Sequence, residues 1–531
     1  MRVFRLLNNT KKNQHSRNID IWDYVLRSEI EHGSTFMRLR DGSLYIFLGL
    51  TREISFLAPS IMMADRVMAY LNQLYGLSAD IPAGRFIYNQ IRSHVGQHGV
   101  EVELRRFSCF DKRTLTAYIS NYDGRMWRLD GGTPELVNNG EDDVYFADDD
   151  GGRTCTPEPD IAPHGILLDR LTNLNFAAQG LSGITPEQQR KAMIAWMFAL
   201  AFPDRVATKP LLLMEGTQGA GKSASIMLMQ TALLGAPKPM ILNKSREDDF
   251  AVQLLRSPIA MFDNTDTFVE WVPDAVCSYA TLGYWVRRKL YTTSDEAIIK
   301  PQSFVAIASK NPSSFRREDV ADRILICRLE RWEHFKPFEQ LSAEILADRP
   351  QLFGEYLYYI NLIVEHLRVY NDAPTVAEKS RMADYAAFAR VVGAVLHWPT
   401  NAVDDMLEAI DGERDAFINE DDPLVQILGA WLNTKRNQGR KMNANELFNE
   451  LTVQASQLGV NQLYKNARTL AQKLRSPHIA RSFHTEITIK DNHKVYQFWP
   501  LNMPVMMPGT GTPTLSEPGD PSLLSIVEPL G

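Results

Sequence analysis

The octapeptide GTQGAGKS, Gly216 to Ser223, constrains this chain more than any other stretch of it. It fits G-x-x-x-x-G-K-[ST], and its flanks are what that pattern requires. An apolar strand, LLLME, leads in, and a helix-forming run, ASIMLMQTALL, leads out to Gly235. Small residues let backbone N–H groups curl around an anion, and the start of the helix adds positive potential. Gly216, Thr217, Gln218, Gly219, Ala220, Gly221, Lys222, Ser223 and Ala224 are therefore expected to cradle the phosphates of ATP. Lys222 would reach the β- and γ-phosphates, and Ser223 would ligate Mg²⁺.

Such a site needs an acid at the end of a neighbouring strand. SPIAMFDNTD supplies Asp263 as the second Mg²⁺ residue. The next residue, Asn264, can orient a water by hydrogen bonds but cannot take its proton, so slow hydrolysis or a base from elsewhere is expected. Asp266 follows two residues on, its direction left open by the sequence. In SFVAIASKNPSSF a strand ends at Ser309, and Asn311 is placed to sense the γ-phosphate. FRREDVADRILICRL then sets Arg316, Arg317 and Arg323 before a last strand. An arginine there can neutralise charge on a neighbouring subunit's γ-phosphate, which requires a head-to-tail oligomer, and a contact that closes makes a ring.

Strands at 211–215, 259–262, 303–309 and 324–329 alternate with helical stretches, which predicts a parallel-type α/β sheet. The chain has 531 residues, more than one core usually holds, and 44% of them are hydrophobic. Residues 1–150 read as a mixed α/β accessory domain. Residues 160–335 read as the P-loop core, and 336–420 as a helical lid. After Asp421-Asp422-Pro423, helices at 424–436, 444–457 and 461–475 precede two strands, SFHTEITI and KVYQFW, the plan of a winged helix over 421–501. The Pro/Gly-rich residues 502–531 are expected to be disordered.

Net charge is −7, so nucleic acid would be met by a local basic patch or a lumen rather than by the whole surface. One such patch is residues 435–494, with eleven Lys/Arg against four Asp/Glu. Lys465, Arg468 and Arg475 would share a helix face directed at duplex DNA, with Lys490 and Lys494 on the wing. The alternative is a winged helix that binds protein. The four scattered cysteines argue against zinc and disulfides and suit the cytoplasm. No apolar run is long enough for a membrane span.

The order of these elements resembles the AAA+ superfamily 3 helicases and MCM-like ATPases of phages and mobile elements. GTQGAGKS resembles their Walker A, AMFDN their Walker B and ASKNP their sensor-1 strand. DVADRILICRL resembles the segment carrying their arginine finger, which implies Arg323, with Arg317 as runner-up. More narrowly the chain is similar, over about residues 115 to 400, to a bacterial and phage group of primase-associated helicases. The matching motifs are Asp123-Gly124-Arg125, Phe262-Asp263-Asn264, Leu290-Tyr291-Thr292 and Met382-Ala383-Asp384-Tyr385-Ala386. The FDN pattern is usual in that group, so Asn264 does not imply a dead enzyme. The resemblance also implies a β-hairpin projecting into the ring's channel. WVRRKLYTTSDEAIIKPQSFV fits, with one arm around Arg288–Thr292, a turn at Ser294-Asp295-Glu296 and a return at Ala297–Lys300. Arg287, Arg288, Lys289 and Lys300 could track a single strand, although Asp295 and Glu296 at the tip would repel it.

The resulting expectation is an AAA+ P-loop ATPase with a helical lid, a mixed α/β N-terminal domain and a C-terminal winged helix. It would work as a ring, a hexamer, moving along DNA to replicate a phage or mobile element, with a primase as a further partner. The rival reading is a nucleotide-controlled DNA-binding protein, loader or defence ATPase that does not unwind processively. A primase within residues 1–150 is rejected, because no carboxylate pair with a following histidine and no zinc-binding cysteines are found there.

Overall fold

The computed structural model describes residues 2–8, 12–147, 152–157, 164–241, 250, 254, 257–263, 265–282, 285–288, 296–299, 302–370, 382–420, 422–459, 464–475, 479, 482–490 and 493–500. The chain divides into two compact units, Met1–Glu420 and Asp421–Gly531. Most of the expected hairpin tip and residues 502–531 lie outside the described residues.

The first unit opens with helices α1 (Arg2–Leu7) and α2 (Gln14–Glu31) and strands β1 (Thr35–Arg38), β2 (Leu44–Leu48) and β3 (Glu53–Phe56). Helices α3 (Asp65–Tyr75) and α4 (Pro82–His98) and strand β4 (Val100–Glu101) follow. The sheet order is β3-β2-β1-β4, and α2, α3 and α4 share one apolar core with it. Strand β5 (Leu104–Arg105) leads to an antiparallel meander, β6 (Ser108–Asp111), β7 (Thr116–Ser120), β8 (Arg125–Leu129) and β9 (Glu135–Asn138). Strand β10 (Tyr145–Phe146) then returns to pair with β5. The turns between β7 and β8 and between β8 and β9 hold Asp123-Gly124 and Gly131-Gly132, where the sequence breaks its alternation. The meander's inner residues Phe107, Phe110, Ile119 and Leu129 belong to the same core as the helices beyond residue 166.

Helices α5 (Ile166–Thr172) and α6 (Pro186–Ala199) precede the central sheet. Thr185 and Gln188 form a capping box at the start of α6, with Pro186 in its first turn. From Ala192 to Ala199 the helix is apolar and buried on every side, whereas Pro186 and Glu187 in its first turn are exposed. Next come β11 (Leu211–Gly216), α7 (Lys222–Leu234), β12 (Pro239–Ile241) and β13 (Ile259–Asp263). After α8 (Val272–Leu282), the backbones of β14 (Trp285–Arg288) and β15 (Glu296–Ile299) pair antiparallel. Strand β16 (Phe304–Ser309), helix α9 (Glu318–Ala321) and strand β17 (Ile324–Leu329) complete the sheet. Its order is β12-β13-β16-β11-β17, every pair parallel. Its inner strands are buried on both faces, which is why they read as unbroken apolar runs instead of alternating ones.

Three helices close the first unit: α10 (Phe338–Tyr370), α11 (Ala383–Val395) and α12 (Ala402–Glu420). They share the central core with α6 and α7. Buried Arg349 of α10 donates to the carbonyls of Ala232, Arg153 and Thr154 at 3.1, 2.7 and 3.0 Å, closing the C-terminal end of α7. The Met382-Ala383-Asp384-Tyr385-Ala386 motif serves packing: Tyr385 is fully buried, and its hydroxyl donates to the Ala192 carbonyl at 2.9 Å.

The second unit has α13 (Pro423–Leu432), β18 (Met442–Asn443), α14 (Ala444–Gln457), α15 (Ala467–Lys473), β19 (Phe483–Lys490) and β20 (His493–Pro500), with sheet order β18-β20-β19. Helix α15 is shorter than the expected 461–475 segment. Asn466 accepts from the Thr469 N–H at 3.0 Å and caps it, so the helix cannot begin earlier. Among the described residues no helix is long and apolar enough to cross a membrane.

Candidate nucleotide site

Strand β11 delivers the loop Gly216–Gly221 to the carboxyl edge of the parallel sheet, and α7 starts immediately behind it. The chain leaves β11 toward one edge of the sheet and leaves β16 toward the other, so a crevice opens at their carboxyl ends. Gly221 caps α7 with φ 80, a left-handed conformation that glycine takes without strain, and this aims the first N–H groups of the helix into the crevice.

The crevice is a cavity of about 360 Å³ lined by Gln218, Gly219, Gly221, Lys222, Ser223, Ala224, Asp263, Asp266, Ala308, Ser309 and Lys310. Lys222 Nζ donates to the carbonyls of Gly216 and Thr217, both at 2.8 Å. Burial pulls its ammonium below the usual lysine range, opposed by Asp266 and Asp263. Ser223 Oγ donates to Asp263 Oδ1 at 2.8 Å, so the hydroxyl and carboxylate expected to share a divalent cation already meet. Two protein oxygens suit Mg²⁺, which keeps waters and takes its remaining ligands from phosphate. A helix start, a cationic amine and this oxygen pair, all at one cavity, fit a Mg²⁺-nucleotide.

Asp266 turns into the site. Its Oδ1 accepts from Ser309 Oγ at 2.7 Å and from the backbone N–H of Lys310 and Asn311 at 2.7 and 3.1 Å. Burial alone would raise its carboxyl, but these hydrogen bonds and Lys222 hold it below the usual aspartate range. Asp266 thus fixes the turn that follows β16, and Lys310, which the sequence reading passed over, joins the cavity wall. Asn311 is exposed and anchored through its backbone; Asn264 lies outside the described residues. As a positioning residue, Asp266 predicts a split effect. Asp266→Ala should lower kcat for ATP by roughly a hundredfold, the cost of a misplaced turn, with little change in nucleotide Kd. A matching loss in Kd, measured by calorimetry beside turnover, would sink that role.

Beneath the loop lies a buried charged cluster. Glu215, the residue before Gly216, has Arg328 Nη1 of β17 at 2.7 Å and Arg316 Nη2 at 3.7 Å. Arg328 Nε donates to Glu413 of α12, and Arg316 reaches Glu420 at 2.8 Å. Burial pushes the Glu215 carboxyl up to about 7; Arg328 and Arg316 oppose the shift, and Glu420 and Glu413 add to it. The folded chain therefore keeps this proton to a higher pH than the unfolded chain, whose glutamate releases it near 4.5. Stability from Glu215 is full below that value and is lost as pH rises toward 7. Glu215→Gln should remove this slope, so its stability relative to the parent should improve between about pH 5 and about pH 8 in urea titrations. An equal difference at both values would refute the assignment.

The arginines expected to act on a neighbour are held within their own subunit. Arg323 is 8% exposed and donates to the Asp319 carbonyl. Arg317 pairs with Asp274 at 2.7 Å and Asp319 at 2.6 Å. In the hairpin, Arg288 stands opposite Glu296 in register, and Arg287 opposite Ala297. Lys289 and Lys300 lie outside the described residues. The first strand begins three residues before the expected arm, at Trp285, because Trp285 and Val286 form strand more readily than the polar residues after them. In the second unit Lys465, Arg468, Arg475 and Lys494 are exposed; Lys465 precedes α15 and Arg475 follows it. Lys490 ends β19.

Residues 176–406 match the model of the actinomycete integrative conjugative element replication proteins. The whole candidate site lies inside that stretch, which is thus similar to replication proteins of a mobile element. No curated protein matches the chain. Among solved structures, the apo C-terminal region of NrS-1 (305–718) aligns at 10% identity and TM-score 0.42, covering 90% of this chain and 98% of that one. The SCCmec type IV Cch active helicase aligns at 13% identity and TM-score 0.44, covering 88% and 93%.

Proposed function

We propose that this chain is an ATP-driven motor of the AAA+ type that moves along DNA, as a helicase or translocase, during replication of a mobile element. The observation that carries the reading is the meeting of Lys222, Ser223, Asp263 and the Asp266-anchored turn at one end of a parallel sheet. The loop and the start of α7 bind the triphosphate, and Lys222 neutralises its charge. Ser223 and Asp263 hold Mg²⁺, which offsets negative charge on the β- and γ-phosphates. Asn264 orients water, and Asn311 reports the γ-phosphate through the turn it shares with Asp266. The similarity of residues 176–406 to replication proteins favours DNA as the track.

An arginine from a neighbour, Arg323 or Arg317, would complete each site in a hexameric ring. Residues 1–150 serve as accessory domain and residues 336–420 as lid, with a primase as a further partner. Single-stranded DNA would pass the hairpin arms at Arg288, Lys289 and Lys300. In the second unit, three helices and a three-stranded sheet in the order β18-β20-β19 support the winged-helix reading, with Lys465, Arg468, Arg475, Lys490 and Lys494 toward duplex DNA.

A second reading, a nucleotide-controlled loader or defence ATPase, is favoured by one observation. Arg317 and Arg323 are both engaged inside their own subunit. ATP turnover of the purified protein with and without single-stranded DNA, beside unwinding of a tailed duplex, separates the two. DNA-stimulated turnover with strand separation supports the motor. Turnover indifferent to DNA, with no separation, refutes it.

A further inference from the structure

The segment that follows β17 turns back over the phosphate loop. Asn175 Nδ2 donates to the carbonyls of Glu330 and Arg331 at 3.3 and 3.1 Å, fixing where the turn begins. The Trp332 N–H then points to the Gly219 carbonyl at 3.4 Å. Two aromatic rings arrive beside the loop glycines. A Cβ on Gly221 would lie 3.2 Å from Trp332 Nε1, and one on Gly219 would lie 3.2 Å from the Phe335 ring. The same Gly221 position is 4.0 Å from Ser225 Oγ in the first turn of α7. Trp332 therefore sits beside the start of the helix, away from the wall formed by Asp263, Asp266 and Lys310.

Both rings remain open to solvent, Trp332 at 41% and Phe335 at 56%. Two exposed aromatics beside the same polar loop make a small apolar patch of the kind that marks a ligand-binding groove. Phe335 already carries the Arg331 guanidinium 5.6 Å from its ring centre. No ring is stacked on Trp332 among the described residues. A nucleotide whose phosphates lie on Gly219–Ser223 must send its base out of the loop, and the flat surface beside that exit is Trp332.

We propose that Trp332 is the stacking wall for the base of the bound nucleoside triphosphate. This rests on the phosphate-site reading above and adds what selects the nucleoside. The loop holds any polyphosphate, whereas Trp332 contributes only when a base is attached.

The test measures equilibrium binding of MgATP and of inorganic tripolyphosphate to the full chain, wild type, Trp332→Ala and Trp332→Phe. Stacking on an aromatic ring corresponds to about a ten- to hundredfold change in affinity. Trp332→Ala should weaken ATP by that factor and leave tripolyphosphate unchanged, while Trp332→Phe retains most of the ATP affinity. Thermal melts of the three proteins check that the loop's support is intact. Unchanged ATP binding in Trp332→Ala overturns the proposal. So does an equal loss for ATP and tripolyphosphate, which would make Trp332 a prop for the loop. Wild-type protein that binds neither ligand would refute the phosphate site itself, and the stacking wall with it.

Discussion

Lys222→Ala is expected to lower ATP turnover by about a hundredfold or more, the scale seen when a charge-stabilising group is removed from a water-poor site. Lys222 is the first residue of α7, and its amine lies over the loop carbonyls of Gly216 and Thr217. With it gone, Asp263 and Asp266 keep their negative charge at the cavity, and Lys310 is the only cation left among the described lining residues. The lining's two cations and two carboxylates now balance; without Lys222 they would sum to one negative charge, and a triphosphate would meet net repulsion. The variant should still fold, because alanine is a good helix former and Lys222 packs no core. Turnover assays beside thermal melts check this. A variant that melts like the parent and turns ATP over at close to the parent rate would show that the loop is not the catalytic site.

The second large effect is structural. Glu413→Ala should cost about 3–5 kcal/mol of folding stability, the usual penalty for removing one member of a buried charged pair. Glu413 is fully buried in α12. It accepts from Arg328, from the backbone N–H groups of Leu181 and Ser182 at 2.9 and 3.0 Å, and from Ser182 Oγ at 2.9 Å. Alanine would strip the acceptor from all of these and leave the Arg328 guanidinium to Glu215 at 2.7 Å and Glu420 at 3.7 Å. Glu413→Gln keeps an acceptor but not the charge, so it should fall between parent and alanine. Urea unfolding of the three proteins gives the ranking. A loss below about 1 kcal/mol for the alanine variant would mean that water replaces the carboxylate, as at an exposed pair.

How much of this could be read from residues alone depended on how local each signal was. The loop, its strand and its helix are contiguous, so GTQGAGKS and its flanks carried them completely. Four of the five central strands announced themselves as apolar runs. The fifth, β12, did not, because PKPMI holds two prolines. Proline is tolerated there since the strand is at the sheet's edge, where an amide can go unpaired. Lys310 and the direction of Asp266 were hidden for another reason. Both depend on a turn after β16 that closes only when residues 43 to 45 positions apart come together. Glu215, Arg328 and Glu413 form a cluster that no spacing in the sequence suggests.

The parallel order of the central sheet also governs how the chain is made. β11, which holds the loop, takes its two neighbours from β16 and β17. Both are synthesised roughly a hundred residues later, and nothing adjacent in sequence can substitute for them. At ribosomal speeds of 5–20 residues per second, the loop waits about 6 to 20 seconds for Leu329 to be added. For that interval the backbone N–H and C=O groups along both edges of β11 have neither of their strand partners. A nucleotide bound as proposed above would stabilise the sheet only after the residues of its site, from the loop to Lys310, have come together.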